Sequence, residues 1–278
     1  MPTTRKYTFD IDTKRYLNRV NTYRQLNGLN NIANVDAVDI DNFVIGLKDL
    51  GIWHNSVCFL MRSQHNIGVG STINSLGGEN NINGTLVNSP TWGLSGITFS
   101  GTNYITALLG KTIQTSELSI ASAVNSISPQ PGYTNGYNYQ LSISTNNYSV
   151  NGFSIVSPST NGNSWIIEGI QSSIGANTTA INNQTIRFQG GRLFSGGTQH
   201  YLNGSTTTSV TVRNNQIFDR IQICGRWGGA ATPSCGVGNF GVGWVGTQSF
   251  VIVSLDYIDF VSLQRLVKET IGKGLGLP

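Results

Sequence analysis

Between residues 63 and 250 the chain is nearly free of charge, and that stretch limits what it can fold into. It holds six basic residues (Lys111, Arg187, Arg192, Arg213, Arg220, Arg226) and four acidic ones (Glu79, Glu117, Glu168, Asp219). A surface helix needs Lys, Glu and Arg on its wet face, and this stretch has too few of them. It carries instead short alternating segments, among them Gly96-Ile-Thr-Phe-Ser100, Leu118-Ser-Ile-Ala121, Tyr139-Gln-Leu-Ser-Ile-Ser144, Phe153-Ser-Ile-Val156, Trp165-Ile-Ile-Glu168, His200-Tyr-Leu202 and Arg220-Ile-Gln-Ile-Cys224. Asn135-Gly136, Asn151-Gly152, Asn161-Gly162 and Asn203-Gly204 punctuate them. Asn-Gly accepts the positive φ angles that two-residue hairpins require. Many short strands separated by such turns predict an antiparallel β-sandwich or barrel. No repeat of fixed period points to a solenoid or propeller.

The two ends read differently. Residues 1–9 form a polar arm with Pro2, Arg5 and Lys6. A first helix is predicted from near Asp12, with Tyr16, Leu17, Val20, Tyr23 and Arg24 on one stripe and Asn27-Gly28 as its stop. A second follows, with Asp36 and Asp39 as caps, Ile40, Phe43, Val44 and Leu47 at helical spacing, and Gly51 after its end. A third, short helix is predicted over 52–62. The chain closes with a helix capped by Asp259, with Phe260, Leu263, Val267 and Ile271 on one face and Gly272 and Gly274 at its end. The expected division is therefore a helical leader at 1–66 and a sandwich with a closing helix at 67–278.

Composition narrows the function classes. The net charge of +4 is modest, and the middle basic residues are dispersed without interleaved aromatics, which argues against nucleic acid. Cys58, Cys224 and Cys235 are odd in number and irregularly spaced, so they form no disulfide framework. The first residues lack the apolar core of a secretory signal. No apolar run reaches the roughly 18–20 residues needed to span a bilayer. The expectation is a protein made in a cytosol and outside the membrane.

Several segments resemble a known family. Gly96-Ile-Thr-Phe-Ser-Gly-Thr-Asn-Tyr-Ile105 resembles the early strand pair of concanavalin A-like, laminin-G-like sandwiches. His200-Tyr-Leu-Asn-Gly204 is similar to their hairpin, Ile221-Gln-Ile-Cys-Gly-Arg226 to the strand after it, and Phe250-Val-Ile-Val-Ser254 to the last strand before a closing helix. Order and spacing agree over about 82–272. Asp39-Ile-Asp-Asn-Phe-Val-Ile-Gly-Leu-Lys-Asp-Leu-Gly-Ile-Trp53 is similar to a helical leader preceding such sandwiches in bacteriophage virion proteins. The resemblance implies a jelly-roll, lectin-like fold on a virion, as a capsid decoration, head fibre or tail component. It also implies other virion proteins as partners and a homo-oligomer, for instance a trimer.

No catalytic constellation is legible. A glycosidase on such a fold needs two carboxylates flanking the scissile bond. Glu168 stands alone, with Ile166 and Ile170 at the two-residue offsets. His54, His65 and His200 join no recognisable triad; His200 is expected on the sandwich surface beside Tyr201, and His54 on a helix beside Trp53. Asp36, Asp39 and Asp41 lack the Gly and closing Glu of a calcium loop. No metal and no cofactor are expected, and the chain is expected not to be an enzyme. Sugar binding needs only aromatic faces and polar donors on rigid loops. The candidates for it are Tyr137 and Tyr139 in the stretch Tyr133-Thr-Asn-Gly-Tyr-Asn-Tyr139, and Arg226 and Trp227 in a Gly-rich loop. Trp92, Trp165 and Trp244 are expected in the core. Protein–protein contact on a virion is the first functional expectation, recognition of host surface glycans the second and polysaccharide hydrolysis the third.

Overall fold

A computed structural model describes residues 7–77, 82–127, 137–145, 152–158, 163–168, 179–180, 186–209, 216–224, 226–227, 233–234 and 245–278. The strands, in chain order, are β1 (Ser56–Leu60), β2 (Thr72–Leu76), β3 (Asn83–Val87), β4 (Thr91–Gly93), β5 (Gly96–Ser100) and β6 (Tyr104–Thr115). Then come β7 (Leu118–Ile127), β8 (Tyr137–Ser144), β9 (Gly152–Pro158), β10 (Asn163–Glu168), β11 (Thr179–Ala180) and β12 (Arg187–Phe194). The last are β13 (Gly197–Leu202), β14 (Ser205–Ser209), β15 (Gln216–Ile223), β16 (Arg226–Trp227), β17 (Pro233–Ser234) and β18 (Val245–Ser254). Helices α1 (Ile11–Leu26) and α2 (Asn34–Asp49) precede them and α3 (Phe260–Glu269) follows.

Apart from the separate β16–β17 pair, the described strands form two packed sheets, with all pairings antiparallel. The first runs β14-β13-β12-β7-β18-β1-β2, with the β4–β5 hairpin on the far half of β18. The second runs β2-β3-β6-β15-β8-β9-β10-β11. Strand β2 belongs to both, pairing Leu76 with Cys58 and Thr72 with Thr85. The architecture is the expected mainly-β sandwich of jelly-roll kind with helices at its ends.

A single strand shows how the layers are built. In β18, Val251 and Val253 point into a core between the sheets, shared with Phe59, Ile120, Ile143, Phe153 and Ile221. Phe250 and Ile252 point the other way, into a second core shared with Cys58, Leu60, Ala121 and Phe188 and closed by the helices. The helices supply Tyr16, Val20, Ile40, Phe43, Leu47, Phe260 and Leu263. Phe43 meets Phe250 edge-on, ring centroids 5.5 Å apart, a favoured aromatic geometry. The first sheet is thus apolar on both faces, as sheets covered on both sides are. The charged ends of the chain come together as its lid: Lys273 pairs with Asp39. Arg62 donates to the carbonyls of Leu94 at 2.7 Å, Ile271 at 2.9 Å and Lys273 at 3.1 Å.

This burial corrects the sequence reading at 52–62. The third helix is absent; residues 56–60 are β1, a strand paired on both edges, between β18 and β2. The run Ser-Val-Cys-Phe-Leu is buried on both faces and so shows no alternation to distinguish strand from helix. The boundary expected at residue 66 therefore cuts through a shared core. Caps also moved. Helix α1 is capped by Asp10, whose side chain accepts from the Asp12 N–H at 2.9 Å, and Tyr23 faces solvent. Helix α2 starts after Ala33 without a side-chain cap. Asp36 and Asp39 are engaged elsewhere in the helical layer. Asp259 caps α3 as expected.

The Asn203-Gly204 hairpin forms as predicted, with φ of 45° and 94° joining β13 to β14. Asn203 Oδ1 also accepts from the Phe188 N–H at 2.8 Å. Asn203→Ala removes both that bond and a residue type that, among those with a side chain, best tolerates left-handed backbone. It should lower the unfolding free energy by about 2 kcal/mol, read as a shift of the urea midpoint at unchanged slope. An unchanged midpoint would rule out this turn. The other three Asn-Gly pairs lie wholly or partly outside the described residues, as do Trp244 and Cys235.

Candidate functional site

The four residues picked out for sugar contact lie on two neighbouring strands. Tyr137 and Tyr139 are in β8, paired with Pro158 and Val156 of β9. Arg226 and Trp227 are in β16, paired with Ser234 and Pro233 of β17. The chain reaches β16 directly from β15, whose Ile223 pairs with Leu141 of β8. The Cys224 N–H then donates to the Gln140 carbonyl at 3.0 Å, and β16 runs on beside β8. Two segments nearly ninety residues apart in sequence thus meet on the second sheet. The side chains of all four residues lie outside the described set, as do those of Glu168 and Trp165. Glu168 ends β10 opposite Phe153.

Several polar side chains lie buried within the sandwich. Gln140 occupies a register break between Tyr139 and Leu141 and donates to Ser122 Oγ on the facing sheet at 2.5 Å. Gln248, beside a break in β18, donates to the Gln140 carbonyl at 3.1 Å. Bulges of this kind re-aim side chains, and here they turn amides toward the facing sheet. His200 is 1 % exposed, which corrects its expected surface position. Its strand partner Gly191 carries no side chain to displace it. Both of its ring nitrogens lack a hydrogen-bond partner among the described residues. Burial, aided by the nearby Arg187 charge, lowers its pKa to about 4, so the imidazole is neutral at pH 7. Arg187 is itself lowered to about 9 by burial.

The other expected positions have structural roles. His65 is buried, with Nε2 at 3.4 Å from Asp36. Burial outweighs the attraction of Asp36 and holds the imidazole neutral, while the hydrogen bond from His65 holds the Asp36 carboxyl below its usual range. Asp41 accepts from the Tyr7 hydroxyl and the Asp10 N–H, both at 2.8 Å. The three aspartates tether the helical layer rather than cap its helices. Trp92 is half-buried and packs against the edge of the core between the sheets, donating to the Gly70 carbonyl at 3.2 Å. His54 is exposed in the turn before β1 rather than on a helix.

A pocket of about 60 Å³ opens between the sheets at one end, walled by Leu109, Ile113, Phe218, Ile221 and Val253, with His54 and Lys111 also lining it. It had no signal in the hydrophobic pattern, because it depends on a break in strand pairing.

No protein-family model matches the chain, and no curated protein matches it. Solved structures do. A sialidase from Trypanosoma rangeli superposes with a TM-score of 0.55 at 12% identity, over 85% of this chain and 40% of the sialidase. The same sialidase with the inhibitor DANA gives a TM-score of 0.53 at 12% identity, over 94% of this chain and 38% of that one. Domain 4 of the extracellular GH43 arabinanase AbnA from Geobacillus stearothermophilus, in complex with arabinotriose, gives 0.44 at 11% identity, over 78% and 89%. The chain spans about two fifths of the sialidase length. At these identities the likeness establishes the fold alone. It nevertheless overturns one expectation. The absence of a legible carboxylate pair had placed the chain outside the enzymes, yet the fold is one that glycoside hydrolases carry, so that exclusion does not stand. The resemblance to bacteriophage virion proteins has no support from these structures.

Proposed function

We propose that the chain is a carbohydrate-recognition module whose contact surface lies where β16 runs beside β8. The observation that carries this reading is the meeting of Arg226 and Trp227 with the strand bearing Tyr137 and Tyr139. Aromatic residues give sugars flat apolar faces, and an arginine gives a planar set of donors for hydroxyl or carboxylate oxygens. A charge-poor surface of Asn, Ser and Thr suits neutral polar ligands. The fold shared with sialidase chains agrees with a glycan as ligand.

A glycan array with the full chain is the test, followed by titration of the best binder against Trp227→Ala and Tyr139→Ala. Each variant is expected to weaken binding about tenfold while leaving the far-ultraviolet circular dichroism unchanged. Bound glycans are assayed for cleavage in the same series. Binding to no glycan, or full binding by both variants, would sink the proposal.

A further inference from the structure

We propose that the pocket between the sheets binds a small amphiphilic carboxylate, its apolar body between Leu109, Ile113 and Phe218 and its charge at Lys111. The pocket exists because the pairing of β6 with β15 breaks. Phe218 pairs with Ile113 and Arg220 with Leu108, so a single residue of β15 faces the four-residue stretch 109–112 of β6. Gly110 sits in this bulge at φ +70°, a conformation that side chains rarely adopt. The extra residues leave Leu109 and Lys111 lining the mouth of the sandwich. A regular strand there would bring β6 against β15 and leave no mouth; bulges that re-aim side chains recur beside binding sites.

The chemistry of the walls selects the ligand. The interior is aliphatic and aromatic, with Ile221 and Val253 at its back. The polar groups around it are His54, Asn55, Ser56 and the exposed Lys111. Among the described residues no acidic side chain lines the pocket and Lys111 has no ion-pair partner. The acids closest in sequence to the lining residues are engaged elsewhere: Asp219 pairs with Arg220, and Asp256 accepts from Asn55 Nδ2 at 3.0 Å. A carboxylate beside Lys111 forms a charge-assisted hydrogen bond while its hydrocarbon leaves water. The volume suits an apolar body of roughly four to six heavy atoms, counting about one water-sized probe for each 10–15 Å³, with the carboxylate outside it at Lys111. None of these residues belongs to the β8–β16 surface, so the proposal stands or falls apart from the glycan reading.

Hexanoate titrated into the full chain, followed by calorimetry and by nuclear magnetic resonance shifts of the Leu109 and Ile113 methyls, is the test. Binding is expected at millimolar affinity, about what so small a ligand can reach. Hexanol should bind at least about fivefold more weakly, as should hexanoate to Lys111→Gln, a change at an exposed position that leaves the core intact. Ile113→Phe should fill the space and abolish binding. Absence of binding at about 50 mM, equal binding of hexanol, or unchanged binding by Lys111→Gln would overturn the proposal.

Discussion

A chain lacking residues 1–55 is expected to aggregate rather than fold as a soluble monomer, although it keeps every strand. Helices α1 and α2 cover the outward face of the first sheet, where Cys58, Leu60, Leu76, Phe250 and Ile252 are buried beneath Tyr16, Val20, Ile40, Phe43 and Leu47. Removing them bares a contiguous apolar patch larger than about 400 Å², beyond what soluble monomers ordinarily expose. Emptying the buried Phe43 site alone, as in Phe43→Ala, should cost about 3–5 kcal/mol. Size-exclusion chromatography and binding of an apolar dye provide the check. A monomeric truncated chain with native circular dichroism would show that the helices are an appendage. Deletion of residues 1–62 goes further, because it also removes β1 from between β18 and β2. Loss of binding to any partner after that deletion would report unfolding, not a lost contact.

Acid should destabilise the protein well before its carboxylates titrate, and His200 should account for much of the loss. Its folded pKa of about 4 lies below the ordinary value of 6.5, so the unfolded chain binds the proton more tightly. Stability is then full above pH 6.5 and falls as pH drops toward 4. The decline is about 1.4 kcal/mol per unit, some 3 kcal/mol across the window. His65, also lowered by burial, adds loss of the same sign, and Asp36, held low by its bond from His65, adds more as pH falls through the carboxylate range. Urea denaturation at pH 7 and pH 5 tests this. The wild type should lose about 2 kcal/mol more between those values than His200→Leu. Because neither ring nitrogen has a partner among the described residues, the leucine breaks no hydrogen bond seen there and should be tolerated at pH 7. Equal losses in both proteins would place the proton elsewhere.

The comparison of pattern with fold is instructive at particular residues. Segments whose two faces meet different surroundings were legible: β5 occupies the predicted Gly96–Ser100, and β15 covers most of 220–224. The Asn203-Gly204 turn and the Asp259 cap were legible because each is decided within a few residues by backbone sterics and local hydrogen bonds. The stretch 56–60 was misread because both faces of β1 are covered, which erases alternation. Asp36 and Asp39 were misread as caps because their partners His65 and Lys273 lie far along the chain.

The candidate sites divide the same way. Residue types suited to sugar contact could be picked out at Tyr137, Tyr139, Arg226 and Trp227 from composition and turn chemistry. That β8 and β16 are neighbours depends on the order of strands in the second sheet. The burial of His200 depends on a glycine across the strand, and the pocket at Lys111 on a bulge against β15. Sequence by itself determined the charge-poor sandwich and the helices α1, α2 and α3, since hydrophobic period, turn residues and caps act over a few positions. Only the tertiary structure decided that both charged ends of the chain form one lid, and which polar groups lie inside. Those outcomes are set by contacts between segments more than two hundred residues apart, such as Arg62 with Ile271, and no local pattern encodes them.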